Sequence, residues 1–423
     1  MRFSFIHAAD LHIDSPLGAL GRRNADAAAR FAGASRKAVV ALIDETLNSQ
    51  AKFLIIAGDI FDGDWADYTT GLFFIRELAR LERANVPVFI VRGNHDAFSK
   101  MSKSLKWPDN VREFSASEAE SFFLPELNTV LHGKSFPERN VPDDFVDGYP
   151  ARHDGQLNIG ILHTALDGVR GHASYAPCTV ETLKRFGYTY WALGHIHKPD
   201  IVARDPWIVF PGNIQGRSIR ETGARGAMRV TVDDGGIASV EPVALDAGRW
   251  AHLEIDISAI TSQYDVLDVL QRELEIQHTA AAGRALAVRV TISGETALHD
   301  ALIAGHQQLE AEAQGLASRI AYDCWIEKIK LRTKAPVRSA MSGATVDGPD
   351  LDRLLQETAG DSAFADTIAA LAQDIRSKLP RELWVDFDSQ FNAGADTMPV
   401  SSEAQALIAG ALAQGSLTRD APE

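Results

Sequence analysis

Phe53-Leu54-Ile55-Ile56-Ala57-Gly58-Asp59-Ile60-Phe61-Asp62 is a short apolar run that ends in a glycine and two carboxylates. The run reads as a buried strand and the residues after it as metal-type ligands. Four further segments repeat the arrangement. Phe3 to Ala8 leads into Asp10-Leu11-His12, and Val86 to Val91 into Gly93-Asn94-His95-Asp96. Ile159 to Leu162 leads into His163-Thr164, and Tyr190 to Leu193 into Gly194-His195-Ile196-His197. Parallel sheets place their ligand sites beyond the carboxyl ends of the strands. Residues far apart in the chain are therefore expected to converge on one spot.

Outward from these segments, residues 1–245 read as one α/β domain. Val39, Leu42, Ile43, Thr46 and Leu47 follow helical spacing within Ser35 to Gln50, and a second helix is expected over Tyr68 to Ala84. Strand–helix–strand alternation implies right-handed parallel crossovers. Lys103 to Arg152 is irregular and rich in Pro, Asp and Asn, and reads as short strands and surface loops. After Gly194 the helices stop. Trp207 to Phe210, Ala227 to Val232 and Ile237 to Leu245 read as strands joined by turns such as Asp233-Asp234-Gly235-Gly236. A smaller α/β module follows over 250–335: strand His252–Ile257, helix Tyr264–Gln277, strand Leu286–Ile292, helix Ala297–Leu316, strand Ile320–Leu331. Residues 336–423 form an acidic, helical C-terminal segment. Phe364, Ile368, Leu371, Ile375 and Leu379 make an apolar stripe that Pro380 ends, and a last helix is expected from Ser402. Such a stripe either packs on the body or docks a partner helix.

The chain of 423 residues suits two or three domains, and 45% hydrophobic with 23% charged residues is ordinary for a globular protein. No apolar run approaches the length of a membrane span, and the N-terminus enters a strand directly, so a cytoplasmic location away from membranes is expected. Cys178 and Cys324 cannot build a disulfide framework. The net charge of −15 argues against gripping nucleic acid through an overall field, though not against local binding.

Asp10, His12, Asp59, Asn94, His163, His195 and His197 offer oxygen and nitrogen ligands without a thiolate, which suits Mn²⁺, Fe or Zn²⁺ better than Ca²⁺. Seven groups exceed what one ion needs, whereas two ions bridged by Asp59 use them all. Such a pair polarises a phosphoryl group and activates water. His95 would face the leaving oxygen, with Asp96 orienting its ring. Arg217, Arg220, Arg225 and Arg229 are candidates for contact with phosphate, Arg217 and Arg220 foremost.

These motifs, D-x-H, GD-x-x-D, GNHD, a lone His and GH-x-H, resemble those of the calcineurin-like metallophosphoesterases, in the same order over about residues 1–245. Within that superfamily, His7-Ala8-Ala9-Asp10-Leu11-His12-Ile13-Asp14-Ser15-Pro16 and Phe210-Pro211-Gly212-Asn213-Ile214-Gln215-Gly216-Arg217 are similar to the SbcD/YhaO-type DNA repair exonucleases. The resemblance implies an αββα sandwich of two packed sheets flanked by helices. It implies Asp10, His12 and His197 on a first ion, Asp59 bridging, Asn94, His163 and His195 on a second, and His95 as the catalytic histidine. It also implies Mn²⁺ as the metal, DNA as substrate in repair, and an SbcC-type coiled-coil ATPase as partner; such nucleases often form homodimers. The module at 250–335 then stands in the place of a DNA-binding cap, and 336–423 in that of an ATPase-docking element. Gly63-Asp64 stands where Ser/Thr protein phosphatases carry an Arg, which lowers that reading. Two alternatives remain: a small-molecule phosphodiesterase or phosphatase of the same fold, and a non-catalytic subunit that recruits a partner.

Overall fold

The computed structural model describes residues 1–15, 25–62, 68–98, 105–139, 141, 145–166, 176, 178–336 and 362–378. The predicted two-sheet α/β sandwich is observed. The first sheet has the order β12-β11-β1-β2-β3-β4, with β1 at Phe3–Ala8, β2 at Leu54–Ala57, β3 at Val88–Val91, β4 at Val111–Glu113, β11 at Gly226–Asp233 and β12 at Gly236–Ala244. β1 to β4 pair in parallel, and β11 joins β1 antiparallel. The second sheet has the order β5-β6-β7-β8-β10-β9, with β5 at Glu120–Leu124, β6 at Thr129–Gly133, β7 at Leu157–His163, β8 at Tyr190–Gly194, β9 at Asp200–Arg204 and β10 at Trp207–Phe210. β6, β7, β8 and β10 pair in parallel.

Alternation of side chains along each strand builds the layers. Phe53, Ile55 and Ala57 of the β2 stretch lie in one apolar core with Phe5, Phe89, Ile159, Ile161, Tyr190 and Ala192, between the sheets. Leu54 and Ile56 face the other way, into a core with Val39, Leu42 and Ile43 of α2 (Ala34–Asn48) and Phe74, Leu78 and Leu81 of α3 (Thr69–Arg83). A third core lies on the far face of the second sheet, where Leu162, Trp191, Leu193 and Ile208 meet Phe136, Phe145, Tyr149 and Leu183. Apolar cores thus lie on both faces of both sheets, and β2 and β3 read as uninterrupted apolar runs.

The short strands expected within Lys103 to Arg152 are β4, β5 and β6, and β6 is buried along its whole length inside the second sheet. Its polar members are satisfied: His132 bonds Ser121 Oγ at 2.8 Å and Asn158 Oδ1 at 3.1 Å.

The first compact unit comprises Met1–His252, Glu275–Arg289 and Ile320–Glu327. It extends past the boundary expected near residue 245 because Trp250, Ala287 and Trp325 are buried in one cluster with Ala27 and Phe31 of α1 (Ala25–Ala32). The second unit takes Leu253–Leu274, Val290–Arg319 and the chain from Lys328. A three-stranded sheet has the order β13 (Gly248–Asp256), β14 (Ala285–Glu295), β15 (Cys324–Lys334). The single helix expected over Ala297–Leu316 is two helices, His299–Ala304 and His306–Ile320, parted at Gly305. Among the described residues no helix is long and apolar enough to cross a membrane. The helix Ser362–Lys378 leaves Leu371 and Ile375 exposed, at 54% and 46%. Leu379, Pro380 and the helix expected from Ser402 lie outside the described residues, as do the side chains of Phe364 and Ile368.

Candidate metal centre

The ends of β1, β2, β3, β7 and β8 meet at one place. The loops after β1 and β2 run side by side: Asp10 N–H donates to Gly58 O at 3.0 Å, His12 N–H to Asp59 O at 3.1 Å and Ile13 N–H to Ile60 O at 3.0 Å. Extending the sheet in this way forces unusual backbone. Asp10, His12, Asp59 and His195 all have positive φ, at 52°, 41°, 52° and 98°. Non-glycine residues in this region cluster at functional sites, held there by surrounding structure. The glycines before the ligands have a matching reason. A Cβ on Gly58, itself at φ +91°, would stand 2.5 Å from His163 Nδ1, and one on Gly194 would stand 1.9 Å from Ala57 O.

All seven ligands predicted from the sequence are brought together. Ligand atoms of Asp10, His12 and His197 lie within 4.8 Å of one another, as do those of Asp59, His163 and His195. Asp59 joins the two groups: its Oδ2 is 3.3 Å from His163 Nε2 and 3.9 Å from His12 Nε2. Asn94 Oδ1 is 3.0 Å from His163 Nε2.

The donor set fits a pair of cations. His163 Nδ1 lies 2.9 Å from Ala57 O, and a carbonyl oxygen only accepts, so Nδ1 carries a proton. Its Nε2 then faces the oxygens of Asp59 and Asn94, where a positive charge is wanted. Burial pulls the ring's pKa down, yet the Asp59 and Asp10 carboxylates overcome this and raise it to about 9. A proton is held there, or a metal ion in its place. In the other group, His12 Nε2 and His197 Nε2 stand 3.1 Å apart. Burial and the Arg217 guanidinium lower the His12 pKa to about 4, which keeps its ring neutral and able to ligate.

His95 is 2.8 Å from Asp62 through Nδ1. Burial opposes the protonated ring, but Asp62 and Asp59 win and its pKa is raised. The sequence reading gave the orienting role to Asp96; the structure places Asp62 there. The Asp96 carboxylate instead accepts the backbone N–H groups of Ile60, Phe61 and Gly93 at 3.0–3.1 Å, so it braces the loops that carry Asp59 and Asn94. Asp62 also accepts from Ser15 Oγ at 2.7 Å and meets Arg217 Nη1 at 3.4 Å.

Above the ligands opens a cleft of about 940 Å³. It is lined by Asp59, Asn94, His95, His195 and His197 together with Arg139, Lys198, Arg217, Arg220, Glu221 and Arg225. Arg217 and Arg220, the foremost phosphate candidates of the sequence reading, both line the cleft. The other two candidates, Arg225 and Arg229, have partners within the protein. Arg225 is buried and ties together His197 O, Asn213 Oδ1 and Thr222 O, and Arg229 pairs with Glu45 and Glu241. His7 is a core histidine that bonds Tyr190 OH and Leu193 O. Glu221, read from the sequence only as a pairing partner of the Arg cluster, lies 2.6 Å from His197 Nδ1. Its signal was the spacing Asn213…Arg217…Glu221 in a loop otherwise without pattern.

Residues 3–199 match the calcineurin-like phosphoesterase family, and residues 250–334 match the middle domain of the metallophosphoesterase YhaO. The uncharacterized metallophosphoesterase YhaO of Bacillus subtilis (strain 168) is 34% identical over 259 residues, 60% of this chain and 63% of that protein; the match thus spans less than two thirds of the relative. Solved structures similar over part of the chain include TT1561 of Thermus thermophilus (TM-score 0.33, 11% identity, covering 58% of this chain and 100% of that one) and a dimetal phosphatase from Danio rerio (TM-score 0.32, 14% identity, 55% and 93%). Over residues 3–199 the N-terminal sandwich is thus similar to the calcineurin-like phosphoesterase family, and it carries candidate metal-ligand clusters at its strand ends.

Proposed function

We propose that this protein hydrolyses the phosphodiester bonds of DNA as a metal-dependent exonuclease/endonuclease. The observation that carries the reading is the meeting of seven ligands at a cleft lined by Arg139, Lys198, Arg217 and Arg220 in a chain of net charge −15. Basic groups gathered at one place on an acidic protein attract a polyanion locally while its field elsewhere repels it. Two divalent ions, Mn²⁺ on this reading, would supply Lewis-acid charge for the phosphoryl oxygens and an ionised water. Asp10, His12 and His197 would hold one, Asn94, His163 and His195 the other, with Asp59 shared.

The chain's own residues do the rest. His95, protonated and held by Asp62, lines the cleft and gives its proton to the leaving oxygen. Arg217, tethered to Asp62 and Ser15, sets its charge beside the reacting phosphate. Deep burial of Asp10, His12, Asp59 and His163 fixes the ligands before substrate arrives. The exposed Leu371 and Ile375 on Ser362–Lys378 support a docking role for the C-terminal segment toward an SbcC-type coiled-coil ATPase.

The test uses the purified full chain with Mn²⁺ on labelled single- and double-stranded DNA, cyclic nucleotides and p-nitrophenyl phosphate. DNA should be cut, and His95→Ala should abolish cutting with metal still bound. A protein that binds two ions, leaves all DNA intact and hydrolyses cyclic nucleotides or monoesters would establish the small-molecule reading instead.

A further inference from the structure

We infer that Glu221 is a positioning residue that sets the proton of His197 and thereby the strength of one half of the metal centre. The inference rests on the metal-centre reading above. Glu221 divides its carboxylate between two tasks. Oε1 lies 2.6 Å from His197 Nδ1. Oε2 accepts from Asn213 Nδ2 at 2.8 Å and from the backbone N–H of Arg217 at 2.6 Å. With an amide N–H and a backbone N–H both donated to it, the carboxylate stands as an acceptor. An ionised carboxylate only accepts, so the shared proton sits on His197 Nδ1 and leaves the Nε2 lone pair facing His12 Nε2 and Asp10 Oδ1, 3.1 and 3.7 Å away. The loop from Asn213 to Glu221 is thus wired to a ligand from a different strand end, and it also carries Arg217 into the cleft.

Glu221→Gln separates this role from a merely structural one. Its amide oxygen can take over the donors Asn213 and Arg217, which keeps the loop in place. Its NH₂ then points at His197 Nδ1 and forces the proton onto Nε2, against the ion. Titration calorimetry of the chelator-treated full chain with Mn²⁺ reads the result. The wild type should take up two ions; the variant should keep one site unchanged and bind the other roughly 10–100-fold more weakly. Wild-type affinities at both sites in the variant would sink this inference alone, whereas a wild type that takes up no ion sinks the metal centre with it. Should the variant not fold, ¹⁵N NMR of histidine-labelled wild type decides, with His197 assigned by its loss in His197→Gln. A ring with a proton on Nδ1 is expected, and one protonated on Nε2 alone overturns the assignment.

Discussion

The two halves of the centre are held in different ways. His163 is fixed by the sheets themselves: it ends β7, its Nδ1 meets the backbone carbonyl that ends β2, and its side chain is fully buried. His197 is fixed by a loop: its Nδ1 meets a side chain 24 residues away, and its own side chain is 23% exposed. One histidine is held by fold-defining backbone and the other by Glu221, on the loop that also carries Arg217.

Asp59 belongs to both halves, so Asp59→Asn should cost most. Hydrolysis should fall on the order of 10³-fold or more and ion uptake should drop at both sites; loss at one site alone would show that Asp59 is not shared. His95→Ala should lower kcat by about 10²–10⁴-fold while calorimetry still counts two ions if the ring acts in proton transfer as proposed; loss of an ion would instead make it a ligand with His12 and Asp62.

The comparison itself is tested by stability. In the presence of chelator, denaturant unfolding of His163→Ala should show a loss of about 1–3 kcal/mol, because Ala57 O is left buried without its donor. The partly exposed His197→Ala should cost less; equal losses would erase the distinction between the halves. Smaller still, Arg139→Ala and Lys198→Ala should each raise KM for DNA and reduce the salt-dependence slope of binding by about one. An unchanged slope would remove those residues from the substrate path.

The last effect lies outside both halves. Burial lowers the His7 pKa to about 3 from its ordinary 6.5. The folded state prefers the neutral ring, so this contribution to stability is complete above pH 6.5 and is lost as pH falls toward 3. Thermal melts between pH 7 and 4 should decline less steeply in His7→Asn, and a slope identical to wild type would contradict that account.

The parallel core and the ligands were legible because both are local: a buried strand is an apolar run, and each ligand follows within a few residues of its end. The burial of β6 was not, because Thr129, His132 and Gly133 break the apolar run, and only Ser121 and Asn158 across the sheet show how a buried histidine is satisfied there. Asp62 was visible in its motif, but its partner was not: Asp96 is adjacent to His95 in sequence, whereas Asp62 reaches the ring only through the fold. Glu221 was hidden for the same reason, since its acceptor role exists only once β8 and the Asn213 loop are side by side. The break at Gly305 divides a stretch whose apolar spacing is compatible with one helix or two.

The central claim is that separate strand ends assemble one site for two ions. A crystal of the full chain grown with Mn²⁺ tests it through anomalous scattering. Two peaks are expected, one among Asp10, His12 and His197 and one among Asn94, His163 and His195, with Asp59 touching both. A single peak, or ions found only away from these side chains, contradicts the account.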